Sequence, residues 1–254
     1  EDSFSQKFGF KNSLCVSSGT TGLQLAFASL GIGINDEVIV PNFTFAASIN
    51  SIIHANAKPV LVDVNNETAC VDIETVKKSI TSKTKAILLV HLYGNACDLD
   101  KFYKLREETG ILIIEDSAQS HFAYSCFDCG QSYKDTCCKK ERNHKFADIS
   151  CYSFYPSKNL GAYGDGGIIT TDNIKIFKKI NVLRNLGTIK KNDHKYEGLN
   201  SRLDTIQASI LLEKIKMTHK HNDYRRKVSK FYDMELSFIN QVKLTETVPG
   251  SSRH

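Results

Sequence analysis

Short apolar, β-branched runs alternate along the chain with stretches whose apolar positions recur every three or four residues. Residues 14–16, 38–40, 59–64, 85–92, 111–115, 149–154 and 167–171 read as strands, several of them apolar on both faces. Helical periodicity marks 22–30, 44–55 and 173–185. Asp72 is placed to cap a helix running to about Ile80, and Asp98 or Asp100 to open one that stops before Gly110. Residues 203–234 read as one long helix with a break near 219–223, and Leu211, Leu212, Ile215 and Val228 lie on compatible faces. This alternation predicts an α/β fold, a mostly parallel sheet flanked by helices. Such sheets take ligands beyond the carboxyl ends of their strands, so the residues just after each strand become the candidates for chemistry.

Composition narrows the class. The chain has 254 residues, 41% hydrophobic and 24% charged, which is ordinary for one or two globular domains and excludes a disordered or collagen-like chain. The net charge of +5 is mild, and no basic stripe with interleaved aromatics points to nucleic acid. An anionic small ligand suits it. The apolar runs 86–90 and 111–114 fall far short of the roughly 20 residues of a membrane-spanning helix. Residues 1–10 are polar and carry no signal-peptide core, so a cytoplasmic location with reduced thiols is expected. Of the eight cysteines, Cys126, Cys129, Cys137 and Cys138 cluster in a polar, basic stretch, about 124–145, that reads as an inserted loop. The spacing of Cys126 and Cys129, with His144 nearby, leaves open a zinc site or a solvated loop. The second ligand pair lacks its spacing, and no metal is assigned.

Three segments carry chemistry. Ser17-Ser18-Gly19-Thr20-Thr21 stands between a strand and a helix, as either a plain N-cap or an anion cup of free N–H groups. Asp116 follows the apolar strand 111–114, as either a loop cap or a carboxylate facing a cationic ligand atom. Lys158 sits among Tyr155, Pro156 and the glycines at 161, 164, 166 and 167, as either a surface lysine or an amine made nucleophilic by partial burial. An anion cup, a strand-end acid and such a lysine are together what pyridoxal 5′-phosphate requires.

The segments SSGTTGLQLAF (17–27), DEVIVPNFTFAAS (36–48), KAILLVHLYGNACDLD (85–100), IIEDSAQSH (113–121), SFYPSKNLGAYGDGG (153–167) and GLNSRLDTIQASIL (198–211) resemble one family in order and spacing. The sequence is similar to the DegT/DnrJ/EryC1/StrS sugar-nucleotide aminotransferases, which have the aspartate-aminotransferase fold (fold type I). The resemblance implies that Lys158 forms the Schiff base with pyridoxal 5′-phosphate and moves the proton, and that Asp116 pairs with the pyridine nitrogen. It implies Gln119 near the phenolic oxygen, Phe45 stacked on the ring, and Gly19, Thr20 and Ser153 on the phosphate. It further implies that Asn200 reaches the cofactor of a second subunit, so that a homodimer shares its active sites.

The reaction implied is transfer of an amino group from glutamate to a nucleoside-diphosphate-linked keto sugar. The stretch NSRLD followed by Gln207 is similar to members acting on 3-keto-6-deoxyhexoses, with a 4-keto substrate as the alternative. The implied organisation is a large pyridoxal-phosphate-binding domain over 1–235 and the start of a smaller C-terminal domain over 236–254. The same resemblance implies a chain short at both ends, lacking an N-terminal helix and most of the small domain. A cofactor-binding chain without sugar turnover therefore stands beside the enzyme reading.

Overall fold

The computed structural model describes residues 1–123 and 147–248. The cysteine cluster of the insertion, and His144 with it, lies outside the described residues. The sheet has seven strands: β1 (Asn12–Val16), β2 (Glu37–Pro41), β3 (Lys58–Val62), β4 (Thr84–Val90), β5 (Leu112–Asp116), β6 (Ile149–Ser153) and β7 (Gly167–Thr171). Their order is β1-β7-β6-β5-β4-β2-β3. The run from β3 through β2, β4 and β5 to β6 is parallel, while β7 pairs antiparallel with both β6 and β1. The mostly parallel α/β sheet expected from the alternation is present.

The strands read as unbroken apolar runs because each face has its own helical layer. On one face Ala86, Leu88 and Ile114 pack with α2 (Gly19–Leu30), α3 (Ala46–His54) and α6 (Ile174–Leu183). On the other, Ile87, Leu89 and Ile113 pack with α4 (Ile73–Ser79) and α5 (Leu99–Thr109). The caps follow the sequence: Asp72 accepts from the N–H groups of Glu74 and Thr75, Asp98 from that of Lys101, and Gly110 closes α5 in the left-handed conformation.

Three elements differ from expectation. Residues 2–8 form a helix, α1 (Asp2–Phe8), in a stretch whose polar composition hides its purpose. Phe4 and Phe8, one turn apart, are both buried and stacked with ring centroids 3.9 Å apart; Phe8 stacks in turn on Phe122. Two apolar residues at that spacing are too few to raise a periodic signal. The long C-terminal helix breaks earlier than the region 219–223: α7 (Thr205–Lys214) passes through one 3₁₀ turn, Ile215–Met217, into α8 (Thr218–Leu236). Leu211 and Ile215 are buried as expected, whereas Leu212 is 49% exposed, one residue off that face.

A small two-stranded sheet, β8 (Thr188–Lys190) with β9 (Asp193–His194), lies before α7. Beyond α8 the chain returns to the sheet layer: the Asn95 side chain donates to the Glu246 carbonyl and accepts from the Val248 N–H, and Val248 is buried. Cys15, Cys70, Cys97 and Cys151 carry free thiols. Among the described residues no helix is long and apolar enough to cross a membrane.

Candidate active site

Parallel strands deliver their carboxyl ends to one edge of the sheet, and a cavity of about 310 Å³ opens there. That is at the lower end of the roughly 300–1,000 Å³ of small-molecule sites. The segments that follow four strands, with the head of α2, wall it. The turn after β2 contributes Thr44 and Phe45, that after β4 His91, that after β5 Asp116 and Gln119, and that after β6 Tyr155 and Lys158.

Asp116 is the last residue of β5, in register with Val90 on one side and Cys151 on the other. Two residues on from the buried Ile114, its side chain shares the face that α3 covers. There the Ser48 hydroxyl donates to Oδ2 at 2.7 Å, and the Ala118 N–H donates to Oδ1 at 3.1 Å. Ser48 and Thr44 hydroxyls are 2.9 Å apart. A hydroxyl has one proton to give, and that of Ser48 goes to Asp116, so Thr44 donates to Ser48. The carboxylate is thus held by a two-hydroxyl relay that sequence reading missed. The only trace was two hydroxyl residues one helical turn apart in FTFAAS.

Lys158 is half-buried in the turn that follows β6. Its N–H donates to the Tyr155 carbonyl at 2.9 Å. The same turn needs glycine at 161, where a Cβ would stand 2.4 Å from the Pro156 oxygen. Burial lowers the pKa of the Lys158 amine from its usual 10.5, against the attraction of Asp116, which raises it. The two groups therefore share one cavity and one electrostatic environment.

The head of α2 forms the third wall. Ser18 caps the helix: its hydroxyl accepts from the Thr21 N–H at 3.0 Å, and its carbonyl accepts from that of Gly22 at 3.0 Å. The cap reading of this segment is present, and a helix start leaves its first N–H groups, here those of the cavity-lining Gly19 and Thr20, without intrahelical acceptors. A Cβ on Gly19 would meet the Ser153 Cβ at 2.9 Å, so glycine is what lets the helix close on the end of β6. The Ser153 Oγ accepts from the Tyr155 N–H at 3.2 Å and keeps its own proton to donate.

Gln119 is oriented by the backbone: its Oε1 accepts from the Tyr93 N–H at 2.7 Å, which leaves the NH₂ end as a donor. Tyr93 takes a left-handed φ of 55° to present that N–H. Phe45, at the head of α3, is 70% exposed and lines the cavity, which excludes a core role. His91, also missed, lines the floor almost fully buried. Its Nδ1 accepts from the Cys97 N–H at 3.1 Å, which places the ring proton on Nε2, 3.8 Å from Glu115.

Asn200 does not join this cavity. It is exposed, in a β-bridge with Asn185. Gln207, which follows the NSRLD stretch, accepts from the Tyr163 N–H at 2.9 Å and so pins the glycine-rich loop to α7.

The chain is similar to known proteins over nearly its whole length. UDP-2-acetamido-2-deoxy-3-oxo-D-glucuronate aminotransferase of Pseudomonas aeruginosa is 38% identical over 239 residues, 94% of this chain and 63% of that protein. dTDP-3-amino-3,4,6-trideoxy-alpha-D-glucose transaminase of Streptomyces venezuelae is 36% identical over 236 residues, 93% of this chain and 59% of that protein. The crystal structure of S. venezuelae DesV in complex with a ketimine intermediate superposes with a TM-score of 0.91 at 34% identity, covering all of this chain and 65% of that one. The chain thus spans less than two thirds of the length of these relatives. Over residues 1–254 it matches, and belongs to, the DegT/DnrJ/EryC1/StrS aminotransferase family.

Proposed function

We propose that this chain binds pyridoxal 5′-phosphate and transfers an amino group from glutamate to a nucleoside-diphosphate-linked keto sugar. The observation that carries the reading is that Lys158 and Asp116 line one cavity with the open head of α2. These residues fit the cofactor. The Gly19 and Thr20 N–H groups and the Ser153 hydroxyl are donors for a phosphate, and Asp116 is a buried acceptor for a ring N–H. The Gln119 NH₂ is a donor for a phenolic oxygen, and Phe45 offers an aromatic face.

When bound, the cofactor supplies an electron sink for the carbanion left when the donor loses its Cα proton. The residues supply the rest. Asp116, held by Ser48 and Ala118, keeps the proton on the pyridine nitrogen. Lys158, with its charged form disfavoured by burial, is available as a neutral amine to accept a proton on Nζ and return it. The α2 N-terminus adds its positive end to phosphate binding. Asn200, exposed and outside its own cavity, is left to serve the cofactor of a second subunit in a homodimer.

Of the two sugar positions we favour a 3-keto substrate of the 6-deoxyhexose type, on dTDP, over a 4-keto one. The names of the two relatives support position 3, since one specifies a 3-oxo and the other a 3-amino sugar, while their nucleotides differ.

Purified chain saturated with pyridoxal 5′-phosphate should lose its visible absorption on adding glutamate. It should regain it with a dTDP-3-keto sugar, releasing an amino sugar detectable by mass spectrometry. Recovery with a 4-keto sugar alone would overturn the position, and loss without recovery by either sugar would leave a cofactor-binding chain without sugar turnover.

A further inference from the structure

The turns after β5 and β6 part company just beyond the sheet. The Ser117 N–H still donates to the Cys151 carbonyl at 2.8 Å, but from there one chain coils through Gln119 to His121 and the other runs out to Lys158. Among the described residues a side chain from α8 hydrogen-bonds to both. Asn222, on α8, accepts from Asn159 Nδ2 through its Oδ1 at 2.8 Å and donates through its Nδ2 to the His121 carbonyl at 2.9 Å. Asn159 is the neighbour of Lys158, and His121 lies in the turn 120–123 that directly follows the turn 117–120 after Asp116. Asn222 is 0% exposed. The residues α8 buries, Thr218 and Asn222, are both polar, on a helix that otherwise faces outward. A buried amide is retained only where its hydrogen bonds are made, and here both ends are used on the two segments that carry the chemistry.

We propose that Asn222 is a positioning residue for the transfer reaction, a clamp that holds the Lys158 turn at a fixed distance from the Asp116–Gln119 turn. Its role rests on the pyridoxal-phosphate reading of the cavity. It touches neither the cofactor pocket nor Lys158 itself, and acts through Asn159 and the His121 backbone. Without it, the Lys158 turn retains its local bonds and the packing of Phe154 and Leu160 with Phe122, but loses its hydrogen-bonded tie through Asn159 to the His121 carbonyl.

The test is the Asn222→Leu variant, which keeps the volume and removes both bonds. Competitive acetylation of cofactor-free protein, read on the Lys158 peptide by mass spectrometry, reports the titration midpoint of that amine without any cofactor. Fluorescence titration reports affinity for pyridoxal 5′-phosphate. The expected result is a Lys158 midpoint moved up toward the ordinary lysine value of 10.5, and pyridoxal 5′-phosphate bound about tenfold more weakly, with melting still cooperative. Adding Asn159→Ala to Asn222→Leu should change neither further, because both remove one link. A folded Asn222→Leu protein with the parent's midpoint and affinity overturns the proposal. Should that variant not fold, Asn159→Ala alone cuts the arm toward Lys158 and carries the same expectation and the same refutation. If the parent itself fails to bind pyridoxal 5′-phosphate, the cofactor reading falls, and the acetylation midpoint still decides the clamp.

Discussion

The acidic and basic sides of the cavity are built by different means. Asp116 ends a central strand, with hydrogen-bonded neighbours on both sides and two donors on its carboxylate. Its position follows from the sheet. Lys158 lies beyond the end of β6, on a turn fastened by side chains from far along the chain. Gln207 and Lys214 of α7 hold the loop at Tyr163 and Gly161, and Asn222 of α8 holds Asn159. The group that stays still is on the rigid element. The group proposed to accept and return a proton is on a tethered one.

Replacing the reactive groups should give the largest effects. Lys158→Ala removes the proton carrier and should slow amino transfer by at least about 10²–10⁴-fold in a stopped-flow half-reaction, while pyridoxal 5′-phosphate is still held noncovalently. Asp116→Asn keeps one oxygen, for the Ala118 N–H, turns an NH₂ donor toward the Ser48 hydroxyl, which then accepts, and loses the charge. A loss of about 10²–10³-fold in the same assay is expected, with little change in melting temperature. Equal losses on binding and on transfer would show instead that Asp116 only shapes the pocket.

A smaller effect belongs to the phosphate wall. Gly19→Ala drives a methyl into Ser153 and should destabilise the fold by about 1–3 kcal/mol in urea titration, with weaker binding of inorganic phosphate. Ser48→Ala removes one bond from a buried carboxylate and should cost about 1.5–3 kcal/mol in the same titration, whereas Thr44→Ala, one step removed, should cost less.

The smallest effect separates the two sides by pH. The Lys158 pKa is depressed in the folded chain, so the unfolded chain binds more protons between that pKa and 10.5. Stability from this group therefore rises with pH across that window and is lowest below it. Lys158→Met should raise the melting temperature slightly at neutral pH, and the gain should shrink as the pH approaches 10.5. A gain that grows with pH would contradict burial as the cause.

Much of this was legible because the chemistry stands where backbone periodicity changes. A strand ending in Asp116, a hydroxyl-rich helix start at Ser18 and a lysine between Pro156 and Gly161 each stand just beyond the end of a strand, and the sheet brings those ends together. What remained hidden depends on long-range contact. Ser48 reaches Asp116 across 68 residues and Asn222 reaches His121 across 101, and no local pattern announces either bond. Helix α1 escaped because two phenylalanines give too little periodicity, and Leu212 was misplaced because the buried face of α7 is narrow, with Leu211 and Ile215 one turn apart on it and Leu212 beside it. Gln207 carried a family resemblance in the sequence, while its bond to the Tyr163 backbone, 44 residues away, had no local signal.

The most direct measurement is borohydride reduction of the protein with pyridoxal 5′-phosphate, followed by peptide mapping. One pyridoxyl group per chain, on Lys158 and absent from Lys158→Ala, is the predicted result. A label on another lysine, or one spread over several in proportion to exposure, would contradict the account.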